Sequence, residues 1–309
     1  MAVVMATNTS ALSSYTTKKK DSVDAAWYRK SRRFADLAMS RVAYVEHGRG
    51  PAALFVHGYP LNSYQWRGAL ELLHQHRRCI APDVMSLGLT ETPQGQPITP
   101  LTQAAMLAAL LDSLHVDTVD LVANDSGGLV SQIFLAKYPQ RVRTLLLTNC
   151  DVDQNNPPAG FVPLIEIAKA GTLVDRFFLP QLNDKNLARG PSGVGSVYSY
   201  PEKLADETIE IYLRPLAETP LKKAQVSEYT VALGQNVLVS VREELRAWKG
   251  PARMVWGLKD NLFGVQWAEW LDKTLPGSRG VRKVEDANLF FPEEMPDLIA
   301  EECAKLWGI

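Results

Sequence analysis

An apolar run, Val119-Asp120-Leu121-Val122, passes through Ala123-Asn124-Asp125-Ser126-Gly127-Gly128 directly into a helical segment, Leu129 to Tyr138. A strand that becomes a helix with no loop between them must bend sharply and pack closely, and this constrains the chain more than any other feature. The central residue of such a turn is strained, and the residues two before and two after it must be small because neighbouring backbone presses on them. With Ala123 and Gly127 as the small pair, the central residue is Asp125. Centring the turn on Ser126 puts Asn124 in a small-residue slot and starts the bend one residue late. A third reading makes Asp125 only the N-cap of the helix, since Asp is favoured there. A phosphate loop is excluded, because neither the dinucleotide fingerprint nor a Lys-Ser/Thr ending is present.

The rest of the pattern fits around this turn. Phe34–Ala38 and Val42–Glu46 read as a hairpin, followed by a buried strand Ala52–Val56 and a helix from about Ser63 to His74. A strand at Arg78–Ala81, a helix over Thr99–Leu114 and a strand at Val142–Leu147 continue the alternation. It stops over 151–246, which mixes Pro, Gly, Tyr and short helical pieces, and resumes with strands at Ala252–Trp256 and Gly280–Val284. Helices follow at Val265–Lys273 and Glu293–Trp307. Strands alternating with helices predict an α/β fold, a mostly parallel twisted sheet with helices on both faces. The predicted organisation is a flexible N-terminal tail over 1–33, a core formed by 34–150 and 247–309, and an inserted, mainly helical cap over 151–246. Thr7 to Lys20 is rich in Ser and Thr and lacks acidic residues, and reads as disordered tail rather than transit peptide.

Lys and Arg number 33 against 34 Asp and Glu, so no charge excess recruits nucleic acid or an anionic membrane, and a small-molecule substrate is expected. Cys79, Cys150 and Cys303 are odd in number and widely spaced. They predict neither a disulfide framework nor a metal site, and fit a cytoplasmic chain. No apolar run reaches the roughly 18 residues of a membrane span, and no motif calls for a cofactor. Nothing in the composition speaks to oligomeric state.

The loop His57-Gly58-Tyr59-Pro60, the turn at Asp125, the inserted segment and Trp256-Gly257-Leu258-Lys259-Asp260 occur in an order that resembles the α/β-hydrolase superfamily. The resemblance runs from about Phe34 to the C-terminus. Asp at the turn is similar to the branch of haloalkane dehalogenases, fluoroacetate dehalogenases and epoxide hydrolases. In that branch the carboxylate attacks an sp³ carbon, expelling halide or opening an epoxide, and water cleaves the resulting ester. The resemblance makes Asp125 the nucleophile, expected to be ionised at neutral pH without a partner base. The backbone N–H groups of Tyr59 and Ser126 fall where the family's oxyanion hole lies. Asp260 falls at the orienting acid, although Asp is also an ordinary turn residue after a strand, and Asp151 is the alternative acid.

The family's catalytic histidine is replaced. In Glu285-Asp286-Ala287-Asn288-Leu289-Phe290-Phe291-Pro292-Glu293-Glu294, Leu289 takes its position, and the five histidines (His47, His57, His74, His76, His115) all precede Asp260. A positioned general base contributes about 10²–10⁴-fold, so an ester that turns over slowly or not at all is expected. Asn288 can orient water but is a poor base, and His57 reads as a structural hydrogen-bonder. Ser126 and Tyr59 stand where dehalogenases usually carry halide-binding Trp and Asn. Tyr198, Tyr200, Tyr212 and Tyr229 are the cap candidates for substrate binding. The expected activity is attack by Asp125 on a small, largely apolar epoxide or alkyl halide, with impaired or altered hydrolysis. The alternatives are a lyase or isomerase using Asp125 in proton transfer, which needs a raised pKa, and a catalytically silent ligand-binding chain.

Overall fold

The computed structural model describes residues 23–309. Its sheet has eight strands: β1 (Arg32–Asp36), β2 (Arg41–His47), β3 (Ala52–Val56), β4 (Arg78–Pro82), β5 (Val119–Asp125), β6 (Val142–Cys150), β7 (Ala252–Gly257) and β8 (Ser278–Val284). Their spatial order is β1-β2-β4-β3-β5-β6-β7-β8. β2 pairs antiparallel with both β1 and β4, and every pairing from β4 onward is parallel. All residues of β3 and β5 are buried, as expected of parallel strands covered on both faces. The edge strand β8 has only half-buried and exposed positions and carries Arg279, Arg282 and Lys283, charges that discourage edge-to-edge pairing.

The helices are α1 (Ala25–Ser31), α2 (Arg67–Leu73), α3 (Pro100–Ser113), α4 (Ser126–Lys137), α5 (Val162–Lys169), α6 (Leu179–Asn183), α7 (Lys185–Arg189), α8 (Asp206–Leu213), α9 (Pro220–Leu233), α10 (Arg242–Ala247), α11 (Val265–Thr274), α12 (Phe291–Glu294) and α13 (Pro296–Trp307). The chain steps outward from β3 to β4 through α2 and back across β3 to β5 through α3. Right-handed crossovers in opposite directions put these helices on opposite faces of the sheet. α2 packs with α13, and α3 with α4. α4 is buried continuously from Ser126 to Leu135, because the sheet, α3 and α10 enclose it. The insertion between β6 and β7 carries α5 to α10. Within it α5 packs on α9, whereas α10, numbered with the cap by its sequence position, packs on the core helix α4.

Two expectations are corrected. The tail predicted over 1–33 is folded from residue 23. Val23, Ala25 and Tyr28 are buried, Asp24 caps α1 by accepting the Trp27 N–H at 2.8 Å, and the Tyr28 hydroxyl lies 2.9 Å from Ser63 Oγ. β1 begins at Arg32, paired with Val45. Residues 1–22, with the Thr7–Lys20 stretch, lie outside the described residues. The single C-terminal helix predicted over 293–307 is broken at Met295, which adopts φ −127°, ψ 56°, because Pro296 bars the preceding residue from the helical region. Among the described residues no helix is long and apolar enough to cross a membrane.

Candidate active site

The strand order brings the C-terminal ends of β5, β6 and β7 side by side, the edge at which open α/β sheets bind ligands. Asp125, Asp151 and Asp260 lie at those three ends. β5 finishes at Asp125 and α4 starts at the next residue. Asp125 has φ 54° and ψ −132°, a strained conformation for a residue with a side chain. The surroundings enforce it. A Cβ on Gly127 would lie 2.4 Å from the Val56 carbonyl oxygen, and one on Gly128 would lie 2.3 Å from Cys150 Cβ. The Asp125 side chain makes no cap hydrogen bond to α4, so the N-cap reading is set aside. The Ser126-centred reading also fails, since the strained position is Asp125 and Ser126 is already helical.

The Tyr59 N–H donates to Asp125 Oδ2 at 2.6 Å, and the Ser126 N–H lies close enough to the same carboxyl group to favour its charged form. Gly58 permits this approach, because a Cβ there would sit 2.7 Å from Asp125 Cβ and 3.0 Å from Phe290 Cε1. Beneath the carboxylate, Gln65 accepts the Gly58 N–H at 2.9 Å and donates to Asn124 Oδ1 at 2.7 Å. The Asn124 amide reaches Thr148 Oγ1, the Asn149 carbonyl and, at 3.0 Å, the Leu289 carbonyl. Gln65 and Asn124 therefore fix the relative positions of three loops. Asn124 was legible only as a polar residue in an apolar strand, and Gln65 gave no signal.

The carboxyl groups are buried together. Burial pushes Asp125 well above the ordinary aspartate value, and the charges of Asp151 and Asp260 push it further against the Tyr59 and Ser126 N–H groups. Burial thus opposes the free ionisation at neutral pH expected of Asp125 from its residue type alone. Burial raises Asp151 to about 7 against the Asn156 hydrogen bond, and raises Asp260 to about 6 against its own amide donors. Asp260 accepts from Leu262 N–H (2.7 Å), Phe263 N–H (3.3 Å) and Asn149 Nδ2 (2.8 Å).

Leu289 is buried, and its backbone is fixed by Asn124 and by the Asn288 side chain. The loop around it is bound to the cap. Asn288 N–H donates to Ser199 Oγ, Phe290 N–H to the Val197 carbonyl, Tyr198 hydroxyl to Glu293, and the Ser199 and Tyr200 N–H groups to Glu294. The Asn288 amide points to the Ser196 and Tyr198 carbonyls, so it is committed to the cap rather than to a water beside Asp125. His57 accepts the Val84 N–H on Nε2 at 3.0 Å and donates from Nδ1 to the Gly58 carbonyl at 2.9 Å, leaving no free lone pair. His47 closes β2 beside Cys79, His74 ends α2, and His76 and His115 precede β4 and β5, all toward the opposite edge of the sheet.

Of the four cap tyrosines, Tyr229 comes to Asp125. Its ring packs edge-on to Tyr59 at 6.2 Å and its hydroxyl approaches that of Ser126, yet neither hydroxyl completes a hydrogen bond. Tyr198 and Tyr212 sit by Glu293 and Arg67, and Tyr200 is exposed beneath Lys203. A cavity of about 20 Å³ adjoins Asp125, Ser126 and Asp151, walled by Pro158, Phe161, Leu233 and Phe263. That is room for about one water. Among the described residues no group of His, Cys, Asp and Glu is placed to hold a metal ion.

Strand order, a strained strand-to-helix residue and paired N–H donors at the C-terminal edge occur together here. A family profile described as alpha/beta hydrolase fold matches residues 51–177. This is the α/β-hydrolase fold. Over 303 residues the chain is 25% identical to haloalkane dehalogenase 2 of Mycobacterium bovis, covering 92% of this chain and 98% of that protein. It is 26% identical over 262 residues to the cis-3-alkyl-4-alkyloxetan-2-one decarboxylase of Shewanella oneidensis, covering 77% of each. The solved epoxide hydrolase CorEH superposes with a TM-score of 0.73 at 20% identity, over 90% of this chain and 98% of that one. Named hydrolases, haloalkane dehalogenases and epoxide hydrolases among them, stand among the relatives, and this α/β-hydrolase-fold chain is accordingly an enzyme of the hydrolase type.

Proposed function

We propose that Asp125 attacks a small, largely apolar electrophile, an epoxide or an alkyl halide, and becomes alkylated. The hydrogen bond from Tyr59 N–H to Asp125 Oδ2 carries this reading. It holds one oxygen and leaves Oδ1 for attack, and the same donors face the oxygen on which charge develops when the ester is later cleaved. The apolar walls of the cavity suit an uncharged substrate, and its small volume requires the 151–246 cap to move for entry. The nucleophile is the ionised form, so the raised pKa of Asp125 makes alkylation faster as pH rises.

Incubation with a panel of haloalkanes and epoxides, followed by intact-mass and peptide mass spectrometry, is expected to map an alkyl adduct to Asp125. The Asp125→Asn variant is expected to give neither adduct nor product. A second reading, proton transfer by Asp125 in a lyase or isomerase reaction, is favoured by the elevated carboxyl pKa. It calls for product without any oxygen from Asp125, still abolished in Asp125→Asn, and that result would displace the alkylation reading.

A further inference from the structure

We infer that Asp151 is the general base that takes the proton of the ester-cleaving water, the role an imidazole at position 289 would otherwise fill. The inference rests on the alkylation of Asp125 proposed above.

Asp151 and Asp125 border one cavity, whose volume of about 20 Å³ is that of a single water site. Ser126 borders it too, and its buried hydroxyl oxygen has no hydrogen-bond partner. Buried polar atoms of this kind are normally satisfied, by ordered water where protein supplies no partner, so the cavity is polar enough to hold one. Asp151 Oδ1 accepts from Asn156 Nδ2 at 3.0 Å, and the same amide donates to the Leu233 carbonyl at 3.1 Å, which fixes the carboxylate against the cap. Among the described residues no side-chain donor occupies Oδ2. Asp260 is the contrasting case: both its oxygens are taken by amide donors, and it does not border the cavity.

The titratable groups facing Asp151 are Asp125 at the end of β5, Asp260 after β7, the preceding Cys150 and Tyr229 on α9; among the described residues no Lys, Arg or His contributes to its shift. Burial brings Asp151 to about 7, the range in which a carboxylate is both available and basic at neutral pH. Esterification removes the charge from position 125 and with it the repulsion between the two groups. The water oxygen then bonds to Asp125 Cγ while its proton passes to Asp151, and negative charge appears on the oxygen facing the Tyr59 and Ser126 N–H groups. Collapse breaks the bond between Cγ and the alkyl oxygen, which takes the proton from Asp151 and leaves as alcohol. Asp125 is regenerated as a carboxylic acid holding one oxygen from water.

The test follows adduct mass over time after mixing with 1,2-epoxybutane or 1-bromobutane, in wild type and Asp151→Asn. Asp151→Asn is expected to alkylate but to lose the adduct at least about 10²-fold more slowly, while one wild-type turnover in H₂¹⁸O labels Asp125. The wild-type decay rate should rise with pH about a midpoint near 7, a readout that does not depend on the variant's folding. Equal decay in both proteins, persistence in both, or a flat wild-type pH profile would overturn the role of Asp151. Absence of both adduct and product in wild type would instead overturn the nucleophile reading beneath it.

Discussion

The turn at 123–128 and the loop at 285–294 meet across the Asn124 amide, yet they are constrained in different ways. At the turn, Gly58, Gly127 and Gly128 each face atoms less than 3 Å from where a Cβ would go, so substitution there disturbs the backbone itself. At the loop, Asn124 bonds the Leu289 carbonyl and Val197 bonds the Phe290 N–H. Neither contact senses which side chain position 289 carries. The side chain at position 289 can therefore change without disturbing the path of the chain, whereas Asp125 cannot shift without unmaking the bend. Packing guards geometry; it does not guard chemistry carried by one side chain.

Leu289→His strikes hardest at this contrast. If the loop backbone already lies where an imidazole is needed, adding Leu289→His to Asp151→Asn should accelerate ester cleavage about 10²–10⁴-fold over Asp151→Asn alone in single-turnover mass measurements, and unchanged decay would show that side-chain identity is not what separates the two regions. Gly58→Ala probes the rigid side. Its methyl group would press on Asp125 and Phe290, and a loss of about 1–3 kcal/mol in urea unfolding, with slower alkylation, is expected; wild-type stability would mean the turn has slack.

A smaller effect is expected from pH. Folding raises Asp151 to about 7 and Asp260 to about 6, above their unfolded values, so the folded chain binds more protons in this interval. The stabilisation is present at low pH and is lost as pH rises through 6 to 7. A fall on the order of 1–2 kcal/mol between pH 6 and 8 is expected, reduced in Asp151→Asn, and a rise over that range would mean the carboxyl groups are compensated by a cation.

The parallel sheet was legible because β3 and β5 are unbroken apolar runs bounded by turns, and the bend at Asp125 because its small neighbours are adjacent in sequence. The first helix was not, since Tyr28 is held by Ser63, a contact that no local pattern announces. The Met295 break was signalled by Pro296 but lost in the helical periodicity on either side. The charge state of Asp125 depends on Asp151 and Asp260 converging from separate strands, and the selection of Tyr229 among four tyrosines depends on how α9 is rotated in the packed cap. Both are products of tertiary assembly.

The bonds from the 196–200 segment to Asn288, Phe290, Glu293 and Glu294 have a mechanical consequence. They rivet one flank of the insertion to the core, so that flank behaves as wall. The opposite flank, where Pro158 and Phe161 close over Asp125, is the door.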